Sequence, residues 1–177
     1  YAGLIKGVQG PGKNTLGDIL ARMVGGDHYK CSANIDDFMG AHAEGLMGRL
    51  FVIFNEADIS STAKHKNRSK ELISEDKATA NPKNVRPFEF ALLASVLVFS
   101  NEACPIPLDT CGKDRRWVVF EANSWCASMW GEDTWAAFQR HFATDVFLRA
   151  LRQFLEGLDY SSFNFREAKH TNTQQPA

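Results

Sequence analysis

The chain has 177 residues, 44% of them hydrophobic, and a formal net charge of −1, which suits one globular domain with a sizeable core. Near-neutral charge gives no argument for wholesale nucleic-acid binding and leaves room for a local basic patch. No apolar run is long enough to span a bilayer and no signal peptide opens the chain, so no membrane association is expected. The sequence begins at Tyr1, almost on its first strand, and reads as a piece of a longer protein. Cys31, Cys104, Cys111 and Cys126 form no C-x-x-C pair. Reduced thiols in a cytosolic protein are expected, not a zinc site.

The first predicted element is a strand at Ala2-Gly3-Leu4-Ile5, followed by Gly7-Val8-Gln9-Gly10-Pro11-Gly12-Lys13-Asn14-Thr15 and a helix from Leu16 to Val24. The spacing Gly7-x4-Gly12-Lys13 fits a phosphate-binding P-loop. Glycines let successive backbone N–H groups curl around phosphate oxygens, and the helix N-terminus adds partial positive charge. Lys13 would reach the β- and γ-phosphates of ATP. The residue after the lysine is usually Ser or Thr, a Mg²⁺ ligand. Here it is Asn14, with Thr15 next, and either oxygen suits the metal.

Gly25-Gly26-Asp27 stops the helix, and His28 to Cys31 reads as a short strand. Asp36 to Gly48 reads as a short, poorly defined helix. Arg49 to Phe54 is a continuous apolar run, as for a strand buried on both faces of a parallel sheet. It ends in Asn55-Glu56-Ala57-Asp58. Ser61 to Ile73 is polar and basic, with Lys64, Lys66, Arg68 and Lys70. Ser74 to Pro87 reads as a turn between extended segments. Leu92 to Phe99 is a second buried strand, ending in Ser100-Asn101-Glu102. After a loop broken by Pro105 and Pro107, Asp114-Arg115-Arg116 leads into a third, Trp117 to Phe120. Trp135, Phe138, Phe142, Val146, Phe147, Leu151, Phe154 and Leu155 then recur at helical spacing. That stripe reads as core packing, not as an aromatic cofactor box. The polar end of the chain reads as a tail or linker.

Three apolar strands therefore end in polar residues: Lys13 and Asn14, then Asn55 and Glu56, then Asn101. In an open parallel sheet such ends line one ligand crevice. Glu56 is the candidate general base for a water attacking ATP, and Asp58 a less well spaced alternative. Asn55 sits where many P-loop enzymes carry a metal-holding acid. Asn101 is placed to bond the γ-phosphate or the water. Arg115 or Arg116 is a candidate arginine finger reaching a neighbouring subunit's nucleotide.

The order of these motifs resembles the superfamily 3 DNA helicases, AAA+ motors of small viruses, phages and plasmids, and most of all the helicase domain of phage and viral primase-helicases. Leu50 to Glu56 resembles the family's Walker B segment, and Phe90 to Glu102 its motif C, with Asn101 as sensor. Asp114 to Phe120 resembles its arginine-bearing strand, and Leu151 to Asn164 its closing helix and tail. The resemblance implies an α/β fold of P-loop AAA+ type. That means three layers, with a central mostly parallel sheet and a C-terminal helical segment. The motor domain would span 1–158, with 159–177 as tail or linker. It also implies ATP and Mg²⁺ as cofactors and a homo-oligomer, a hexameric ring. It further implies partnership with a primase or polymerase domain, in bacterial host cytoplasm or at a viral replication site. A DNA-holding β-hairpin is expected at Ala78 to Val85, with Lys83 and Asn84 at its tip and Lys77 at its base. Those lysines would neutralise phosphates of single-stranded DNA without reading sequence. Three rivals remain: an AAA+ ATPase that remodels or packages nucleic acid without unwinding it, a P-loop small-molecule kinase, and a nucleotide-binding module that hydrolyses poorly, given Asn14 and Asn55.

Overall fold

The structure is a computed structural model that describes residues 2–10, 12–38, 40–56, 70–102, 117–122 and 131–162. Seven strands are present among them: β1 (Ala2–Lys6), β2 (Tyr29–Ser32), β3 (Phe51–Asn55), β4 (Lys77–Ala80), β5 (Phe88–Ala91), β6 (Ser95–Ser100) and β7 (Trp117–Glu121). Five make a parallel sheet in the order β2-β3-β6-β1-β7, and β4 and β5 pair separately. α1 (Lys13–Val24), α2 (Glu132–Phe142) and α3 (Asp145–Glu156) accompany them, and residues 70–74 are helical as well. The class is mixed α/β, as the apolar runs predict.

Alternation along each strand sorts the sheet's two faces. On one face Ala2, Leu4, Val52, Phe54, Val96, Val98, Trp117 and Val119 form the core with Phe38, Leu46 and Leu72. Phe38 meets Phe54 edge-to-face at 4.7 Å between ring centroids. The Lys30 ammonium lies 4.8 Å from the Phe38 ring. Burying a Phe54-sized side chain contributes roughly 1.5–3 kcal/mol. The other face carries α1, which comes close at Gly17. A Cβ there would lie 3.2 Å from the Tyr29 hydroxyl, 3.3 Å from Ile53 and 3.4 Å from Phe99. Burial beneath that helix, and then the neighbouring Cys31, push the Tyr29 hydroxyl far above the ordinary phenol range.

Several local expectations need correction. The stretch from Gly40 to Leu46 is 3-10, not α, and a separate 3-10 turn covers Ile35–Phe38. The run Leu92 to Phe99 is strand only from Ser95 onward. Phe90 and Ala91 belong to β5, and β6 begins at Ser95. Leu92 instead donates its N–H to Asp76 O at 2.9 Å, closing the base of the hairpin. That hairpin is wider than Ala78–Val85, running from Lys77 to Ala91.

The aromatic stripe is the largest correction. It does form helices: Thr144 caps α3 by accepting the Phe147 N–H at 3.2 Å. In α2, acids in the first turn and bases in the last suit the helix dipole. Yet no residue of α2 or α3 is buried, and Val146 and Phe154 are 64% and 63% exposed. The reason is that both sheet faces are already occupied. The rings pack on one another instead, Trp135 on Phe138 and Phe138 on Phe142, each pair with centroids 5.5 Å apart. Arg22 of α1 ties this unit down, donating to Phe142 O at 2.6 Å and Ala143 O at 2.7 Å, with Asp145 at 3.6 Å.

Candidate functional site

The parallel register brings three strand ends level. Lys6 pairs with Ser100 and Glu121, and Asn55 pairs with Phe99. Beyond these ends lie the loop after β1, the turn after β3 and the turn after β6, so the topology delivers their side chains to one edge.

The loop between β1 and α1 is wedged between two neighbours. Gly7 donates its N–H to Ser100 O at 3.1 Å. On its other side, a Cβ would lie 2.6 Å from Ala122 O. Only glycine fits there, and the φ of 154° adds to the demand. Gly12 enters α1 in the left-handed conformation, φ 88°. Gly10 also has positive φ, and Pro11 lies outside the described residues. The chain thus turns tightly enough to point Lys13 back over the loop.

The Lys13 ammonium donates to Gly7 O at 2.8 Å, to Val8 O at 2.9 Å and to Asn101 Oδ1 at 2.7 Å. Asn101 is held by the turn that follows β6, where Ser100 Oγ accepts the Glu102 N–H at 3.0 Å. Desolvation lowers the Lys13 pKa, and the nearby Glu56 carboxylate opposes that shift. Lys13, Asn101 and Glu56, from three different strand ends, therefore share one neighbourhood.

Glu56 has φ 58°, rare for a residue with a side chain. Its N–H donates to Phe99 O at 2.8 Å, extending the β3–β6 ladder one step beyond Asn55. Such strain costs of order 1 kcal/mol or more and persists where surroundings over-determine it. Asn14 is exposed and Thr15 half-buried on the first turn of α1, and Asn55 is half-buried at the end of β3. These are neutral oxygen donors, with Glu56 the nearby carboxylate. Such a set suits a Mg²⁺ that keeps several waters and leans on substrate phosphates. Among the described residues no group of three His, Cys, Asp or Glu could hold a metal by itself.

The hairpin carries the candidate nucleic-acid contacts. Lys83 and Asn84 lie in its exposed turn, with Asn84 at φ 64° and Val85 N–H donating to Pro82 O at 3.2 Å. Lys77, at the base, is 3.6 Å from Glu89, both side chains being well exposed. Arg86 is exposed beside the turn as well. Sequence reasoning misses it, although a cation next to an Asn-Pro turn is a visible signal. Arg115 and Arg116, with Asp58, Lys64, Lys66 and Arg68, lie outside the described residues.

Sequence reasoning also misses Trp135. A Cβ on Gly12 would lie 3.8 Å from Trp135 Cη2, so the indole borders the loop. Its spacing from Phe138 and Phe142 points only to a helix face.

No helix among the described residues is long and apolar enough to cross a membrane. A protein of Nitratiruptor phage NrS-1 named DNA Primase-polymerase is 30% identical over 129 residues, covering 70% of this chain and 17% of that protein. Two solved apo structures of the NrS-1 C-terminal region share the fold. One has a TM-score of 0.74 at 23% identity, covering 98% of this chain and 40% of that one. The other has 0.73 at 24%, covering 98% and 41%. The chain thus spans about a sixth of the curated relative's length. The family of unknown function DUF5906 matches residues 5–116, from β1 to the doorstep of β7 and so across every strand end gathered around Lys13, and to that family the chain belongs.

Proposed function

We propose that this chain is the ATP-driven motor domain of a phage-type DNA replication protein, a superfamily 3 helicase of P-loop AAA+ type. The observation that carries the reading is the convergence of Lys13, Asn101 and Glu56 at the ends of β1, β6 and β3. Their roles follow from their chemistry. Gly7, Gly10, Pro11 and Gly12 present backbone N–H groups, proline excepted, to the phosphates. Lys13 exchanges its loop carbonyls for β- and γ-phosphate oxygens. Asn101, already in hydrogen-bond contact with that ammonium, reads the γ-phosphate, and Glu56 takes a proton from the attacking water. Asn14 or Thr15, with Asn55, would hold Mg²⁺, which supplies charge neutralisation between the phosphates. The motor unit is assigned to 1–158 and a tail to 159–177, with subunits in a hexameric ring and an arginine from the neighbour completing each site.

A role in phage DNA replication is supported by the relative's name, DNA Primase-polymerase, and implies work alongside a primase or polymerase domain. The deciding experiment is an ATPase assay with and without single-stranded DNA, followed by strand displacement. DNA-stimulated hydrolysis with unwinding supports the motor. Stimulation without unwinding favours remodelling or packaging, and phosphotransfer to nucleosides favours a kinase.

Lys13→Ala should abolish ATP binding or hydrolysis, because no other ammonium is seen reaching into the loop among the described residues. Calorimetry and phosphate release check this, and wild-type affinity and turnover would remove the P-loop assignment.

Lys83→Ala should weaken single-stranded DNA binding and uncouple unwinding while basal ATPase stays nearly intact. Removing one lysine–phosphate pair should flatten the salt dependence of binding by a slope of ~0.7. Binding titrations across a salt series read this directly. An unchanged slope moves the DNA contact elsewhere, to Arg86 or to the 64–70 segment.

A further inference from the structure

We infer that Trp135 is the platform on which the base of the bound nucleoside triphosphate stacks. The inference rests on the P-loop reading and extends it to the part of the ligand that the loop does not hold. A P-loop contacts phosphates only, so the base and ribose must meet another element.

Three observations point to Trp135. First, its Cη2 lies 3.8 Å from where a Gly12 Cβ would stand, so the indole borders the end of the loop where α1 begins. Second, the ring is pre-set. Trp135 stacks on Phe138 with centroids 5.5 Å apart and planes 24° from parallel. Phe138 is in turn backed by Phe142 at 5.5 Å. Arg22 then fastens the far end of α2 to α1 through the Phe142 and Ala143 carbonyls. An aromatic held in advance loses little freedom on binding. Third, the stripe to which Trp135 belongs contributes no buried residue to the domain. Filling the core therefore does not account for a tryptophan beside the loop.

Stacking on an indole is worth roughly 5- to 150-fold in affinity and tolerates any base, since every base has a π-face. The site should therefore discriminate weakly between ATP and GTP. That suits a motor, which uses the triphosphate and not the identity of the base.

The test uses the full chain with Mg²⁺ and compares wild type, Trp135→Ala and Trp135→Phe by calorimetry. The two titrants are ATP and inorganic tripolyphosphate, which lacks a base. Circular dichroism first checks that α2 persists in each variant. We expect Trp135→Ala to weaken ATP about 5- to 150-fold, Trp135→Phe to restore most of it, and tripolyphosphate to bind all three alike. Equal weakening of ATP and tripolyphosphate would make Trp135 a support for the loop and overturn the stacking role. Unchanged ATP affinity in Trp135→Ala would overturn it too, leaving the P-loop reading in place. Wild type binding neither titrant would overturn both.

Discussion

Arg116→Ala should lower ATP turnover by roughly 10³–10⁵-fold, and the defect should act in trans. Trp117, the next residue, pairs with Ala2 at the start of β1, whereas the glycine-rich loop follows Lys6 at its end. Five residues at ~3.3 Å each separate the two ends, farther than an arginine side chain extends. On the proposed ring, an arginine that precedes β7 would serve a neighbour's nucleotide and not its own. Arg115 is the competitor. Arg116 is preferred because it immediately precedes Trp117, which is buried in the core. Mixing is the measurement. Arg116→Ala subunits combined with Glu56→Gln subunits should regain some ATPase, because interfaces with an intact pair reappear. No recovery at any ratio, with rings still assembled, would assign Arg116 a structural role.

Glu56→Gln should bind ATP normally yet turn it over about 10²–10⁴-fold more slowly. The amide is nearly isosteric but takes no proton from water. Binding should survive because the Glu56 backbone, not its carboxylate, bonds to Phe99. Removing the carboxylate also removes the charge that partly offsets desolvation of Lys13, which leaves the ammonium, with three hydrogen bonds, in place. Calorimetry for binding and phosphate release for turnover separate the two effects. Normal hydrolysis in the variant would pass the role to another carboxylate, with Asp58 the nearest in sequence.

The sequence by itself determines the glycine-rich loop, the parallel strands and the polar groups that end them. Those features are local. A glycine at Gly12 answers a backbone demand, and Val52-Ile53-Phe54 can only be buried on both faces. Tertiary structure decides what meets what. Whether Asn101 reaches Lys13 depends on β6 lying next to β1, a neighbour 88 positions away along the chain. Gly7 is required because Ala122 passes beside it, a steric fact invisible in any local window. The break between β5 and β6 is hidden because Phe90 to Phe99 is apolar almost throughout, and periodicity cannot show where one apolar segment changes partners. The aromatic helices defeat sequence reading for a related reason. Periodicity reports that a helix has an apolar face but not which surface remains for it to cover. With α1 on one side of the sheet and the 3-10 turns and hairpin on the other, that face is left to α1 and to itself, with Trp135 beside the glycine-rich loop.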